Sequence, residues 1–257
     1  MPQEADGPEL GVLRQRLEQH KPAFAYLIPT FQNPSAVRYS EAKREAVAAL
    51  LDEFGVTLIE DEPYRELVFD QGSATPIVSR LRSASWIYTG TVSKTLLPGL
   101  RVGYLIASPD LFPYLLRLKQ SADLHTNRIG QWQALQWLGS QRYNEHLAEL
   151  RDFYRLRRDA MQAALVEHFS DLATWETPQG GLFFWLALRQ PLDTRTLLKP
   201  ALEQDVVFMP GEPFFSEPDR HPGYLRLNFS HVAPERLGEG LRRLAGVIRD
   251  ALAAEAA

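Results

Sequence analysis

The chain has 257 residues, a formal net charge of −4, a hydrophobic fraction of 45% and a charged fraction of 23%. These values are ordinary for a globular protein with one large core or two modest domains, and the negative charge disfavours a general nucleic-acid role. The absence of cysteine excludes disulfides and thiolate metal sites and fits a reducing, cytoplasmic compartment. No apolar run approaches the roughly 18 residues of a membrane span, and the six histidines lack metal-ligand spacing, so neither a membrane nor a metal partner is expected.

The first part of the chain alternates helical and extended patterns. Leucine spacing predicts a helix to about residue 20, and the apolar run 24–28 predicts a strand buried on both faces. A second helix is expected to start at its N-cap, Ser40, and to stop at Gly55, before a short apolar strand at 56–59. Strand, helix and strand within about 30 residues are the signature of a βαβ unit, which predicts an α/β fold with a mostly parallel sheet.

The segment 85–107 places a lysine and an arginine between two short apolar runs, at 86–88 and 104–106. An amine held near a desolvated sheet edge can lose its proton and attack a carbonyl group. An arginine and hydroxyls close by are suited to binding a phosphate. The pattern predicts an aldehyde cofactor that carries a phosphate, bound by Thr91, Ser93, Lys94 and Arg101.

The second part of the chain changes character after a long predicted helix at 143–169. Strand patterns then follow at 172–176, 182–188, 206–209 and 224–229, with a helical pattern at 194–202. A final helix is expected to begin at Pro234. We therefore expect a first domain at 1–145 and a second, smaller α+β domain at 146–257.

Polar groups follow three of the predicted strands of the first domain. Asn33, Asp61 and Lys94 each come after the carboxyl end of a strand, the edge where ligands bind in open α/β sheets. Taken alone, Asn33 is equally typical of a turn before proline, and Asp61 of a solvated acid. In the second domain Arg226 stands among apolar residues, where it suits a substrate α-carboxylate or, alternatively, a structural salt bridge.

The order Thr-x-Ser-Lys followed by Pro-Gly-Leu-Arg-x-Gly-Tyr resembles the Schiff-base segment of class I/II aminotransferases, which are pyridoxal-phosphate enzymes of fold type I. The resemblance extends from about residue 6 to residue 248. It implies the C-terminal part of the large pyridoxal-phosphate-binding domain of that fold at 1–145, followed at 146–257 by a connector helix and the small C-terminal domain. By this resemblance Lys94 binds pyridoxal 5′-phosphate covalently, Arg101 and Thr91 hold its phosphate, and Ser93 assists.

Two further motifs carry the same resemblance. Asn-Pro followed by a small residue is similar to the family motif whose asparagine bonds the pyridoxal 3-oxygen, which implies that role for Asn33. Asp-x-x-Tyr at a strand end implies that Asp61 pairs with the ring nitrogen and that Tyr64 reaches the 3-oxygen. Such a carboxylate keeps the ring protonated and able to accept electrons. The strand around Arg226 resembles the one that binds the substrate carboxylate.

The resemblance implies transfer of an amino group from an amino acid to a 2-oxo acid by a homodimer, in the branch that handles 2-aminoadipate, aromatic or branched-chain amino acids. Two alternatives stay open: the effector-sensing domain of a GntR-type transcription regulator, and another fold type I reaction such as β-elimination or decarboxylation. Family members carry a further part of the large domain before the region that matches Phe24. We therefore expect this chain to bind the cofactor weakly by itself and to be impaired in turnover.

Overall fold

A computed structural model of the chain describes residues 1–70, 72 and 75–255. The residues group into two compact units: Met1–Gln32 with Val37–Leu150, and Asn33–Ala36 with Arg151–Ala257. The boundary between the units falls inside the long helix, close to the predicted division at 145/146, which stays a prediction. In the described part of the chain, no helix has the length and apolar character needed to cross a bilayer.

The first unit is built around a four-stranded sheet in the order β3 (Phe24–Leu27), β4 (Thr57–Asp61), β5 (Trp86–Thr91) and β6 (Gly103–Ala107). The first three strands are parallel, and β6 is antiparallel to β5. This arrangement confirms the predicted βαβ unit and the mostly parallel sheet. The elements in chain order are β1 (Gln3–Glu4), β2 (Gly7–Pro8), α1 (Leu10–His20), β3 (Phe24–Leu27), α2 (Glu41–Phe54), β4 (Thr57–Asp61), β5 (Trp86–Thr91), β6 (Gly103–Ala107), α3 (Phe112–Ala122), α4 (Arg128–Leu138) and α5 (Gln141–Phe169).

Helix α2 covers one face of this sheet, and local capping signals set its two ends. The Ser40 side chain accepts a hydrogen bond from the Lys43 amide, and Gly55 ends the helix with a left-handed φ of 62°, as predicted. The buried face of the helix carries Val47 and Leu51, which belong to the same core cluster as Leu58 of β4. The covered face of the sheet is therefore the one on which Leu58 lies.

The opposite face of the sheet is much more exposed. Phe24 and Tyr26 of β3 are 54% and 52% exposed, while the alternating residues Ala25 and Leu27 pack against the core. The prediction that this strand is buried on both faces is therefore wrong. A continuous apolar run does not tell which face another element covers, and β3 is an edge strand of the sheet.

The second unit has an antiparallel sheet in the order β7 (Ala173–Trp175), β8 (Phe183–Leu188), β10 (Tyr224–Asn228) and β9 (Met209–Pro210). Its elements are β7 (Ala173–Trp175), β8 (Phe183–Leu188), α6 (Leu198–Glu203), β9 (Met209–Pro210), β10 (Tyr224–Asn228) and α7 (Pro234–Glu255). The strand expected at 206–209 starts only at Met209, because the Val206 amide donates to the Ala201 carbonyl and closes α6. Buried leucines of β10 and α7 supply the core, among them Leu225 and Leu244.

Candidate active site

The carboxyl ends of β4 and β5 lie side by side. Asp61, the last residue of β4, is paired in register with Thr89 of β5, and Lys94 follows three residues after β5 ends at Thr91. Adjacent parallel strands present their carboxyl ends at one edge of a sheet, where ligands bind in open α/β folds. The structure thus places Asp61 and the Lys94 loop at the same edge.

Two hydroxyl groups hold the carboxylate of Asp61. Thr89 Oγ1 donates to Oδ1 at 2.8 Å, and the Tyr26 hydroxyl donates to Oδ2 at 2.5 Å. Burial and, next, the hydrogen bond to Asp61 raise the pKa of Tyr26, so that its hydroxyl stays a proton donor. Neither donor was predicted from the sequence, although strand alternation places Tyr26 and Thr89 on the same face of the sheet as Asp61.

Tyr64 lies in the turn after β4, where the Leu67 amide donates to its carbonyl at 2.8 Å. The Tyr64 side chain is only 6% exposed. The structure therefore places Tyr64 in the turn that directly follows Asp61, with its side chain buried, while the predicted role of Tyr64 stays a prediction.

The loop that carries Lys94 begins with a compact hydroxyl turn. Thr91 Oγ1 donates to the Val102 carbonyl at 3.0 Å, accepts the Ser93 amide at 3.1 Å and lies 2.9 Å from Ser93 Oγ. On the apolar side, Leu100 packs with Ala134 of helix α4 in a small buried cluster. The two predicted phosphate-binding hydroxyls are therefore adjacent and firmly held.

Glycine allows helix α4 to approach this loop. A Cβ atom at Gly130 would lie 2.8 Å from the Leu100 carbonyl oxygen and 2.9 Å from the Asn127 side-chain nitrogen. Asn127 caps the helix by accepting the amides of Ile129 and Gly130. The start of α4 is thereby set directly against the loop that carries Lys94 and Arg101.

The two predicted cationic groups of this loop differ in their contacts. Among the residues that the structure describes, no hydrogen bond or ion pair engages the Lys94 ammonium group. Arg101 is exposed, has a left-handed φ of 53°, and donates through Nη1 to the Pro98 carbonyl at 3.2 Å. The structure brings Thr91 and Ser93 together, whereas the guanidinium of Arg101 is directed to its own turn.

In the second unit, the two remaining predicted residues contact each other. Arg226 Nη1 donates to Asn33 Oδ1 at 2.5 Å, although the residues are 193 positions apart. The Arg226 guanidinium also lies 4.2 Å from the ring centroid of Phe183 and 5.2 Å from that of Phe214. Contacts with aromatic rings restrict the orientation of a guanidinium group, which favours directional binding of a planar anion such as a carboxylate.

A buried ion cluster lies next to Asp61 in sequence and was not predicted. The Arg44 side chain is 0% exposed, and its Nη1 atom lies 3.7 Å from Glu60 Oε1 and 3.5 Å from Glu62 Oε1. Glu60 accepts the backbone amides of Ile77 and Val78. The cluster ties helix α2 and the chain after residue 76 to the end of β4.

The same arginine also holds the chain after β3. Arg44 Nη2 donates to the Pro29 carbonyl at 2.9 Å and to Thr30 Oγ1 at 2.8 Å, and Thr30 in turn donates to Glu62 Oε1. Desolvation, and then the charge of Glu60, raise the pKa of Glu62 to about 7. A cluster of two carboxylates and one guanidinium thus favours keeping one proton.

Comparison with known proteins gives these observations a context. A model of the family Aminotransferase class I and II matches residues 11–244. The aromatic-amino-acid aminotransferase 1 of Thermococcus litoralis is 35% identical over 255 residues, which are 97% of this chain and 61% of that protein. The 2-aminoadipate transaminase of Thermus thermophilus is 35% identical over 256 residues, 98% of this chain and 64% of that protein.

Among solved structures, LysN, the α-aminoadipate aminotransferase of Thermus thermophilus complexed with N-(5′-phosphopyridoxyl)-L-leucine, matches with a TM-score of 0.91 and 33% identity. The match covers 99% of this chain and 66% of that one. The chain therefore spans slightly less than two thirds of the length of these three proteins, and the predicted fold type I architecture is confirmed.

Proposed function

The chain belongs to the class I and II aminotransferases, and we propose that it transfers the amino group of an amino acid to a 2-oxo acid through pyridoxal 5′-phosphate bound to Lys94. One observation carries this proposal. A lysine amine with no partner among the described residues lies at the same sheet edge as a carboxylate held by two hydroxyl donors. An amine free to attack an aldehyde and an oriented carboxylate for a basic ring nitrogen are the two groups that this cofactor requires.

The donor set fits the remaining parts of the cofactor. The exposed guanidinium of Arg101 suits a phosphate dianion, and the adjacent hydroxyls of Thr91 and Ser93 would donate to it by rotating away from their present partners. The ligand of the similar Thermus structure is a phosphopyridoxyl amino acid, which agrees with this choice of cofactor. When bound, pyridoxal phosphate supplies an electron sink for the α-carbon of an amino acid.

The residues of this chain then have distinct tasks. Asp61 holds a proton on the ring nitrogen, and Lys94 moves the proton at the α-carbon of the amino acid. Asn33 and Tyr64 donate to the 3-oxygen of the ring, and Arg226 binds the α-carboxylate of the substrate. These assignments follow the family motifs of the sequence.

The substrate side chain is proposed to be aromatic or that of 2-aminoadipate, as the names of the two similar proteins indicate. Within the second unit, Trp185 lies opposite Arg226 in the β8–β10 register and stacks on Tyr224 at 5.4 Å. Aromatic rings beside the carboxylate-binding arginine suit a flat substrate. By the same resemblance we propose a homodimer, and from composition a cytoplasmic location.

Borohydride trapping tests the proposal. The chain is incubated with pyridoxal phosphate, reduced with borohydride and digested, and the modified lysine is identified by mass spectrometry. We expect modification at Lys94, its loss in Lys94→Ala, and no loss in Lys119→Ala, which removes an exposed lysine paired with Asp123. Modification of another lysine would contradict the site.

A second assay separates the reaction classes. The chain is supplied with cofactor, a panel of aromatic and acidic amino acids, and 2-oxoglutarate. Formation of glutamate together with the matching 2-oxo acid supports amino transfer. Cofactor binding without any product would support an effector-sensing domain, and release of ammonia or carbon dioxide would support a lyase or decarboxylase.

A further inference from the structure

The residue that follows Lys94 is held by helix α5. Thr95 is only 4% exposed, and both its hydroxyl and its carbonyl group are engaged. The Tyr143 hydroxyl donates to Thr95 Oγ1 at 3.1 Å, and His146 Nε2 lies 2.8 Å from the Thr95 carbonyl oxygen. Because a carbonyl oxygen only accepts, His146 carries a proton on Nε2.

The two contacting side chains form one rigid patch. Tyr143 and His146 are three residues apart in the first turns of α5, so they lie on the same face of the helix. The His146 ring packs edge-on against Trp137 of α4 at 5.8 Å. The imidazole is therefore restrained by a ring on one side and by a backbone carbonyl on the other.

Lys94 stands between two fixed neighbours. On its amino side, the Ser93 amide donates to Thr91 Oγ1, and on its carboxyl side Thr95 is held by α5. Of these groups, the Lys94 ammonium alone is without a partner among the described residues. The loop therefore presents the Lys94 amine from a backbone whose neighbouring residues are held on both sides.

We propose that Tyr143 and His146 are positioning residues that fix the Thr95 peptide and so direct the Lys94 amine toward the aldehyde of its cofactor. This inference rests on the proposed function of Lys94. A restrained backbone reduces the conformational entropy that is lost when the Lys94 side chain reacts. It should therefore raise the affinity only of ligands that bond to the lysine. Contacts that merely stabilise the fold would affect all ligands of the site alike.

Two probes separate these cases. Pyridoxal 5′-phosphate needs Lys94 for its covalent bond, whereas pyridoxine 5′-phosphate has an alcohol in place of the aldehyde and uses only the noncovalent contacts. We expect His146→Ala to weaken pyridoxal phosphate about 2- to 10-fold, the value of one hydrogen bond, and to leave pyridoxine phosphate unchanged. His146→Gln should restore affinity, since its side-chain amide also donates.

Matched substitutions on the same helix control for indirect effects. Tyr143→Phe retains the ring and should weaken the aldehyde probe selectively, which keeps the test available if His146→Ala folds poorly. Tyr154→Phe and His168→Ala change the same residue types farther along α5 and should alter neither affinity. An equal loss for both probes in the His146 and Tyr143 variants would overturn the proposal.

Hydrogen exchange of the cofactor-free protein tests positioning without any chemistry at Lys94. We expect peptides that cover 92–101 to exchange faster in His146→Ala than in wild type, and exchange in His168→Ala to match wild type. Unchanged exchange in His146→Ala would overturn the inference even if the cofactor binds. Absence of trapping on Lys94 in wild type would instead refute the proposed function.

Discussion

Neighbouring carboxylates on the two faces of the first unit's sheet have different environments and different partners. At the covered face, Glu60 and Glu62 are buried with Arg44, and their charges are balanced by a guanidinium and by backbone amides. At the more exposed face, Asp61 accepts hydrogen bonds from Tyr26 and Thr89 and has no described ion pair. Three consecutive acids therefore divide into a structural pair and a functional candidate.

The difference follows from solvation. A carboxylate removed from water requires an opposite charge or a proton, and burial raises the pKa of both Glu60 and Glu62. A carboxylate at a half-exposed edge is solvated in part, so two neutral donors are sufficient to orient it. We therefore expect substitutions at the covered face to change stability, and those at the exposed face to change chemistry.

The largest expected effect is that of Arg44→Met. This change leaves two buried carboxylates without their cation, so we expect the free energy of unfolding to fall by about 3–5 kcal/mol in urea titration. Arg14→Met is the control, because Arg14 also pairs bidentately with a glutamate, Glu53, but at the surface. Equal losses in the two variants would show that the buried cluster has no special role.

Asp61→Ala should lower turnover strongly and leave stability nearly unchanged. We expect kcat to fall about 100- to 1,000-fold, as for loss of an oriented electrostatic group, with little change in KM, since the pairing matters most when negative charge develops on the ring. The unfolding midpoint should stay close to wild type. Turnover within a few-fold of wild type would mean that Asp61 is not the ring-nitrogen partner.

The pH dependence of stability is expected to come from the covered face. The pKa of Glu62 rises from 4.5 to about 7 on folding, so between these values the native state binds more protons than the unfolded state. Stability from this group therefore falls as the pH rises through that window. Glu62→Gln should make this decrease of stability with pH smaller in urea titrations at several pH values.

Glu239→Gln is the matched control for that titration. Glu239 is exposed on α7, and hydrogen bonds from Arg242 and then Arg243 lower its pKa to about 2. Its titration lies below the window of Glu62, so its substitution should leave the slope above pH 4.5 unchanged. A wild-type stability that rises between pH 5 and about 7 would contradict the assignment to Glu62.

Tyr26→Phe should produce the smallest effect. It removes one of the two donors to Asp61 but keeps the half-exposed ring. We expect turnover to fall about 2- to 10-fold, as for one hydrogen bond, with stability nearly unchanged. Tyr114→Phe, an exposed tyrosine on α3, is the control, and a similar small change in both variants would remove Tyr26 from the site.

The sequence by itself determined the features that depend on local spacing and chain order. Ser40 and Gly55 mark the two ends of helix α2, and both ends could be predicted because capping depends on residues only a few positions apart. Asp61 and Lys94 come at strand ends because β4 and β5 are short apolar segments with polar residues directly after them. The family could also be predicted, because the motif around Lys94 is a continuous local run of residues.

Only the tertiary structure decided which distant groups meet. Tyr26 reaches Asp61 across 35 positions, and His146 reaches Thr95 across 51. The tertiary structure also decided that Phe24 lies on an exposed face of the sheet. An apolar strand has the same sequence pattern whether one or both of its faces are covered. Register between strands and packing between helices select such partners, and neither is encoded in the local spacing of residue types.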